Sequence, residues 1–318
     1  MLSSEWIREE ALGLGFSACG VIRCRPLAKH RGFFTRWLDE GLHDGLAYLE
    51  RNVETRLDPT QLMPGACTLI VCLASYNNEA WRDTCTTKEV EFPKIASYAL
   101  AQEYHITMKE MLRQLLETIR KPYPALSGRC FTDTAPLFEK AWAAEAGLGW
   151  IGKNSLLISP QFGSFVVLGE VVIDMEADRY DEPSLRDGCG DCRRCMEACP
   201  NGAIIAPHTL NLRRCISRLT IERRSVPVDP KELHGWIFGC DICQAACPHN
   251  HHAPRYTHPA FAPLFDPSAI TREQWFAMLP ADFEKIFGKT PVACRRRGAT
   301  EVLNPEADAL KLSIIRYP

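Results

Sequence analysis

The chain has no apolar run that could cross a bilayer, and its N-terminus lacks a basic region followed by an apolar stretch. Its most apolar segment extends from Ser164 to Ile173 and is interrupted by Glu170. A transmembrane helix needs about 20 apolar residues, which is far more. The first residues, MLSSEWIREE, read as an amphipathic helix rather than a secretory signal. We therefore expect a cytoplasmic protein that makes no membrane contact.

The chain also has little net charge, because 37 basic residues face 39 acidic ones. A globally basic nucleic-acid-binding protein is thereby excluded, so any RNA contact must come from a local patch. Five arginines lie between Arg213 and Arg224, with Glu222 as the one acid among them, and Arg295–Arg297 form a second cluster. Solvated surface is the ordinary interpretation of such clusters. The first cluster, however, surrounds a cysteine of the block described next.

Cysteine is present in excess: the chain has 15, an odd number that prevents complete disulfide pairing within it. A chain of 318 residues has room for about two domains and needs no covalent staples. In a reducing cytosol, clustered cysteines usually bind metal. Eight of them lie between Cys189 and Cys247. We interpret the seven isolated ones as small buried hydrophobic residues.

The first cysteine motif, CGDCRRCMEACP from Cys189 to Pro200, is the run typical of bacterial ferredoxins that carry two 4Fe–4S clusters. The second, CDICQAACP, has one cysteine fewer, and Cys215 between the motifs supplies the missing ligand. In two-cluster ferredoxins the fourth cysteine of a run ligates the other cluster. We predict one cluster on Cys189, Cys192, Cys195 and Cys247 and the other on Cys199, Cys215, Cys240 and Cys243. Two structural zinc sites are the alternative, because paired C-x2-C motifs also suit zinc.

Before the cysteine block, helix-like stretches alternate with short apolar runs, which favours a sheet flanked by helices. The predicted helices are 5–14, 32–49, 105–120 and 135–146, and the predicted strands are 18–23, 68–74, 155–158 and 165–173. We predict an α/β (α+β) domain over 1–176, a ferredoxin-like domain over 177–250 and a short helical tail over 251–318. Two clusters so close together establish a path for electrons. The long N-terminal part is expected to bind the substrate that these electrons reduce.

Residues 131–159 contain a helix start with polar residues around it. Asp133 or Thr134 is expected to cap a helix that has Pro136 in its first turn and ends at Gly147. On sequence alone, an N-cap is the simpler interpretation of Asp133.

Three stretches together resemble the epoxyqueuosine reductase family. They are DTAP at Asp133 through GLGWIGKN at Asn154, the first cysteine run, and CISRLTIE at Cys215 leading to GCDICQAACP. The resemblance covers about residues 1–300. It implies reduction of an epoxide on the modified wobble base of tRNA to the alkene of queuosine, the last step of queuosine biosynthesis. It also implies two 4Fe–4S clusters, a cobalamin cofactor and kinship with reductive dehalogenases.

The resemblance also assigns roles to individual residues. Asp133 matches the family's proton donor, a task for which a carboxyl group needs a raised pKa. Positions expected to contact cobalamin are Arg56, Asp133, Leu157, Leu168, Glu222, Cys240 and Asp241, the last two through backbone groups. Positions expected to face tRNA are Tyr98, Lys140, Ser159, Ser217, Arg223 and Arg224. The chain lacks the Asp-x-His-x-x-Gly motif that would supply a histidine to cobalt.

Three expectations about partners follow. The enzyme acts on the anticodon loop of tRNA, receives electrons from an external one-electron donor and works as a monomer. Longer family members carry a helical-repeat extension that this sequence lacks, so contacts with tRNA away from the anticodon loop are expected to be fewer. The alternative functions are a reductive dehalogenase and an electron carrier without its own chemistry.

Overall fold

The computed structural model describes residues 1–86, 92–183, 187–222 and 228–293. The α-helices are α1 Ser4–Gly13, α2 Ala28–Asp39, α3 Ala47–Glu50, α4 Val53–Leu57, α5 Ala80–Thr86, α6 Tyr104–Arg120, α7 Glu139–Glu145, α8 Arg194–Ala198, α9 Ile216–Ile221, α10 Pro230–Leu233, α11 Ile242–Ala245, α12 Arg272–Phe276 and α13 Pro280–Phe287. The strands are β1 Ala18–Arg23, β2 Thr68–Ser75, β3 Lys94–Ile95, β4 Gly128–Phe131, β5 Trp150–Ile151, β6 Leu157–Ile158, β7 Val166–Ile173, β8 Ile204–Ala206, β9 Thr209–Leu210 and β10 Trp236–Phe238.

A four-stranded antiparallel sheet in the order β1-β2-β7-β4 organises the N-terminal half. All eight residues of β2 are buried, because helices cover both faces of the sheet. Val171 and Ile173 pack with α1 and α6 on one face, whereas Leu168 and Val172 pack with α7 on the other. Alternate residues of a strand point to opposite faces, so β7 contributes to both cores.

The predicted fold class, a mixed helix-and-sheet domain with a ferredoxin-like part and a short helical C-terminal region, is confirmed. Four elements lie where the sequence placed them, namely α1, α6, β1 and β7, and β2 extends one residue further than predicted. The helix predicted over 32–49 is wrong, since two helices with a turn between them occupy this stretch. Of the strand predicted over 155–158, only Leu157–Ile158 form a strand, β6. The edge strand β4, with the sequence GRCF, was not predicted because it carries little apolar pattern.

The cysteine-rich segment is built from short elements. Its helices α8 and α11 span only 5 and 4 residues, and its β8–β9 hairpin has strands of 3 and 2 residues. Strand β10 pairs in parallel with β3 of the N-terminal half. Ile237 and Phe238 then share a core with Ile95 and with the C-terminal Phe287. The three predicted segments therefore pack on one another, and the domain boundaries stay a prediction.

The isolated cysteines only partly match their interpretation as buried hydrophobic residues. Cys19 and Cys72 are buried and face each other across β1 and β2, with their sulfurs 4.0 Å apart. Cys24, Cys67, Cys85 and Cys130 are half-buried. Cys294 and the Arg295–Arg297 cluster lie outside the described residues. In the part of the chain that the structure describes, every helix is too short or too polar to cross a bilayer.

Candidate active site

Asp133 lies in the turn that follows the edge strand β4. The preceding residue, Thr132, is buried and donates its hydroxyl to the Leu168 carbonyl of β7 at 2.9 Å, which fixes the turn to the sheet. Asp133 itself has a positive φ of 46°, and its side chain is 55% exposed. Helix α7 begins six residues later and has no side-chain cap. The N-cap interpretation of Asp133 is therefore wrong, whereas the predicted helix end at Gly147, with φ of 71°, is confirmed.

Two donors from the start of α6 hold the Asp133 carboxylate. Tyr104 donates its hydroxyl to Oδ2 at 2.7 Å. His105 approaches the same oxygen through Nε2 at 2.9 Å, and its Nδ1 lies 2.7 Å from a carboxylate oxygen of Glu103. The imidazole ring is thus bracketed by two carboxylates, and both of its nitrogens have acceptors.

These contacts set the protonation states. Burial acts to raise the pKa of Asp133, but the hydrogen bonds from His105 and Tyr104 outweigh it and leave that pKa below its ordinary value. Burial acts to lower the pKa of His105, yet its bonds to Asp133 and Glu103 raise it to about 9. The raised pKa expected for Asp133 is therefore not found; its contacts lower the pKa instead. The sequence could not reveal this, because the donors lie on a helix more than 25 positions away.

Lys140 lies between this acid and the second set of cysteines. Its ammonium group donates to the Ser155 carbonyl at 2.9 Å. Burial lowers the pKa of Lys140, while Glu139, Asp133, Cys215 and Cys243 act against that change. Lys140 and Asp133 are both exposed, and each influences the pKa of the other, so the two side chains lie near each other at one open site, called the cleft below.

One cysteine from the second motif lies near three cysteines of the first. Cys247 lies within electrostatic reach of Cys189, Cys192 and Cys195, although more than 50 residues separate it from them. A pocket between these four is lined also by Lys153, which donates to the Cys192 carbonyl at 2.9 Å. The loop of the first motif thus closes around a space bounded by four sulfurs.

The second group joins cysteines from three separate stretches. The Cys215 thiol lies within electrostatic reach of Cys199, and the Cys240 thiol lies within reach of both Cys215 and Cys243. Cys243 is also close enough to interact with Cys195 of the first group. Burial raises the pKa of Cys243 well above its ordinary value. Four half-buried thiolates without a counter-charge would be costly, so this donor set fits the cationic core of an iron–sulfur cluster.

The zinc alternative requires a tighter arrangement. Four sulfurs must converge within about 2.3 Å of one zinc ion. Among residues 1–86, 92–183, 187–222 and 228–293, no three Cys, His, Asp or Glu side chains converge closely enough to hold a single metal ion.

Arg56 and Glu222, both expected near cobalamin, meet at Tyr48. The Arg56 guanidinium donates to the Tyr48 carbonyl at 2.8 Å, and its buried Nε has no acceptor among the described residues. The Tyr48 hydroxyl lies 3.5 Å from Glu222. Burial, with Glu222 and Asp133 nearby, raises the pKa of Tyr48 to about 12. Tyr48 therefore faces the same cleft as Asp133, a position that sequence reasoning missed.

The other positions expected near cobalamin are buried or half-buried. Leu157 and Leu168 are buried at 2% and 8% exposure in the core beneath α7. Asp241 is buried; its carboxylate accepts from the Ser97 amide at 2.7 Å and from Gln244 at 3.1 Å. These bonds fix the backbone next to Cys240.

The positions expected to face tRNA have varied surroundings. Tyr98 packs edge-to-face with Tyr104 at a centroid distance of 5.8 Å, beside the Asp133 site. Ser217 is half-buried on α9. Ser159 is only 3% exposed, which leaves its side chain little surface to offer. Arg223 and Arg224 lie outside the described residues.

Comparison with known proteins places this geometry in a family. Residues 56–134 match the model "Epoxyqueuosine reductase QueG, DUF1730", and residues 188–250 match a 4Fe–4S double cluster binding domain. The epoxyqueuosine reductase of Cyclobacterium marinum is 36% identical over 89% of this chain and 90% of that protein.

Solved structures agree with the sequence matches. A selenomethionine-labelled epoxyqueuosine reductase has a TM-score of 0.80 at 27% identity, covering 92% of this chain and 77% of that one. An epoxyqueuosine reductase with an epoxyqueuosine-modified tRNA-Tyr stem loop has a TM-score of 0.77 at 26% identity, covering 90% of this chain and 76% of the other. The iron–sulfur interpretation of the cysteine block is confirmed by the match over residues 188–250. Taken with the identity to its curated relatives, these matches show that the chain belongs to the epoxyqueuosine reductase family.

Proposed function

We propose that this protein reduces the epoxide of epoxyqueuosine in tRNA to the alkene of queuosine. The observation that carries the proposal is the cleft in which an aspartate held by two donors faces, across Lys140, a set of four cysteines. A proton source and an electron source thus flank one space. Family membership and the relative bound to an epoxyqueuosine-modified stem loop support the same substrate.

The reaction needs two electrons and two protons, because the epoxide oxygen leaves as water while its two carbon–oxygen bonds break and a carbon–carbon double bond forms. Iron–sulfur clusters pass electrons one at a time. The group on Cys199, Cys215, Cys240 and Cys243 is the one near Lys140, so it is the exit of the electron path. The group on Cys189, Cys192, Cys195 and Cys247 is then the entry, where an external one-electron donor docks.

The cleft suits the family's cobalamin. Arg56 offers a buried Nε donor that has no acceptor among the described residues. Leu157 and Leu168 provide apolar surface. The backbone at Cys240 and Asp241, held by the hydrogen bond from Ser97 to Asp241, offers polar groups. Glu222 lies at the rim beside Tyr48. When bound, cobalamin supplies low-valent cobalt as the reductant of the carbon–oxygen bond.

Asp133 is the proton donor to the departing oxygen. Its hydrogen bonds from His105 and Tyr104 hold its pKa below the ordinary value, so Asp133 must first receive a proton, and His105, whose Nε2 lies 2.9 Å from Oδ2, is the donor in contact with it. Burial against an apolar surface raises the pKa of a carboxyl group and would favour this transfer. Tyr104 keeps the carboxylate oriented toward the cleft.

The tRNA approaches the same cleft. Tyr98, Lys140, Ser159, Ser217, Arg223 and Arg224 are the proposed contact positions on this side. Tyr98 and Lys140 lie directly beside the Asp133 site, which suits contact with the modified base and the phosphates next to it. We assign the protein to the cytoplasm, where its tRNA substrate is found, and expect it to act as a monomer.

The decisive test is mass spectrometry of tRNA nucleosides from a strain that lacks the gene. Epoxyqueuosine should accumulate, and queuosine should return when the gene is restored. Unchanged queuosine in the deleted strain would refute the function. Metal analysis separates the alternatives, because an enzyme of this kind holds cobalt in addition to iron, whereas an electron carrier without its own chemistry holds iron alone.

A further inference from the structure

Arg218, on the short helix α9, is a buried arginine within the basic cluster of the cysteine-rich part. Its side chain is 10% exposed, whereas that of Arg213 in the same cluster is 68% exposed. Its Nη2 donates to the Asp44 backbone carbonyl at 3.4 Å and lies 3.4 Å from a carboxylate oxygen of the same residue. Its Nε and Nη1 are buried and have no acceptor among the described residues. The guanidinium group thus keeps two buried donors in reserve.

These two donors are costly to leave unpaired. An arginine side chain is always charged in a protein, and burying a charged group without hydrogen-bond partners costs more than burying a neutral one. Asp44 balances part of the charge, but its carboxylate also faces Arg213 at 3.6 Å. The Nε and Nη1 atoms of Arg218 therefore point to an acceptor that belongs to the working protein.

The position of Arg218 along α9 indicates where that acceptor lies. Cys215 immediately precedes α9, and the Leu219 amide donates to its carbonyl at 2.9 Å, which closes the first turn. Residues three positions apart lie on the same face of a helix, and helical side chains lean toward the N-terminus. The Arg218 side chain therefore leans toward Cys215, and it lies within electrostatic reach of that thiol.

A loop of the N-terminal half holds the guanidinium group on this side. Asp44 has a positive φ of 53° in the loop between α2 and α3. The Leu212 amide donates to the Leu42 carbonyl at 2.9 Å, which fastens the same loop to the segment just before Cys215. Asp44 engages Nη2 of Arg218, so Nε and Nη1 remain for another partner.

An iron–sulfur cluster on Cys215 supplies acceptors of the required kind. Hydrogen bonds to its sulfurs and the charge around it set the reduction potential of such a cluster. Four thiolates outweigh the positive charge of the iron–sulfur core, so the cluster is an anion, and each added electron makes it more negative. A cation beside it stabilises the reduced form more than the oxidised form, and burial protects this attraction from screening by salt.

We propose that Arg218 donates hydrogen bonds to the cluster held by Cys199, Cys215, Cys240 and Cys243 and thereby raises its reduction potential. Electrons that enter from the external donor then collect at the cluster nearer to Lys140. That consequence for the electron path rests on the proposed function, whereas the effect on the potential rests only on Cys215 being a cluster ligand.

Redox titration followed by electron paramagnetic resonance measures the midpoint potentials without tRNA. The full chain carries its iron–sulfur clusters and no cobalamin, because the cobalt signal would overlap. R218M removes the charge and the donors, so the equilibrium constant for reduction of one cluster should fall about tenfold, equal to about 59 mV for a one-electron couple. The other cluster should keep its wild-type midpoint. C215S identifies the affected cluster, because an oxygen ligand alters the signal of the cluster that it joins.

Three further variants separate the buried charge from other effects. R213M is the matched control, because Arg213 also faces Asp44 and is close to Cys215 in sequence but is exposed, so both midpoints should stay at their wild-type values. R218K keeps the charge and should retain more than half of the wild-type effect. D44N removes the negative charge beside Arg218 and should move the same midpoint upward, and asparagine tolerates the positive φ at this position.

The possible results are distinct. A lowered midpoint in R218M, with wild-type midpoints in R213M, supports the proposal. Equal midpoints in R218M and wild type would overturn it, whether or not cobalamin affinity changes. If R218M loses its iron, D44N carries the test, and a D44N midpoint at or below the wild-type value would refute the proposal. If wild type fails to convert an epoxyqueuosine-containing stem loop, the proposed function is wrong, and the midpoints still decide the role of Arg218.

Discussion

The two halves of this molecule arrange their chemistry in different ways. In the sheet half, Asp133 follows the edge strand β4, and its carboxylate is held by Tyr104 and His105 from the start of α6. In the cysteine-rich half, helices of 4 or 5 residues and short hairpins carry thiols whose pKa burial raises. The comparison indicates that protein groups alone hold the acid of the sheet half, whereas the cysteine-rich half, with its short elements and many thiols, is expected to gain stability from the metal that it binds.

The largest effect that tests this comparison comes from removing one cluster ligand. Cys243→Ala should lose about half of the iron and abolish turnover, because the electron path ends at this cluster. Limited proteolysis should then cleave within residues 188–250 while the sheet half resists. Cys24→Ala, at a half-buried cysteine after β1, is the control and should keep all its iron. Full iron content in Cys243→Ala would contradict the ligand assignment.

Asp133→Asn should have the next largest effect on turnover, and it should leave the iron–sulfur clusters intact. Turnover should fall by about 10²–10⁴-fold, the usual contribution of a general acid, with iron and cobalamin content unchanged. Single-turnover kinetics with a modified stem loop measures it. Asp174→Asn is the control, since Asp174 accepts from the Ser127 amide at the opposite end of the same strand pair. Wild-type turnover in Asp133→Asn would remove this residue from the mechanism.

A smaller effect is expected from the basic cluster around Cys215. Arg223→Ala combined with Arg224→Ala should weaken tRNA binding and lower the slope of log K against log salt by about 1–2, since each phosphate contact adds roughly 0.7–0.9. Binding titrations at several salt concentrations measure that slope. Arg113→Ala, on the exposed face of α6 where Glu110 and Glu117 already pair with it, should leave the slope unchanged. An equal slope in both variants would place the tRNA surface elsewhere.

The smallest effect concerns the stability of the sheet half, which should depend on pH through Glu139. Because the pKa of Glu139 rises from 4.5 to about 8 on folding, the folded state binds more protons than the unfolded state between those values. The free energy of unfolding should therefore fall as pH rises through this window. Denaturant titrations at several pH values should show a shallower decline in E139Q. A decline as steep as that of wild type would show that Glu139 is ionised in the folded protein.

Prediction from sequence succeeded where local spacing sets the chemistry. The cysteine runs carry their spacing in the local sequence, and the match to a 4Fe–4S double cluster binding domain over residues 188–250 confirms the cluster type, while the division of the ligands between the two clusters stays a prediction. Prediction failed at Asp133, which does not cap a helix. Its environment depends on His105 and Tyr104 of α6, and nothing in the local sequence links these residues to the turn after β4.

The sequence by itself determined the cluster motifs, the mixed fold and the family, because these depend on residue spacing and on periodic apolar patterns. Only the tertiary structure decided the protonation of the site. A pKa is set by burial and by neighbours in space, so the low value at Asp133 and the high values at His105 and Glu139 appear only once β4, β7, α6 and α7 have packed together.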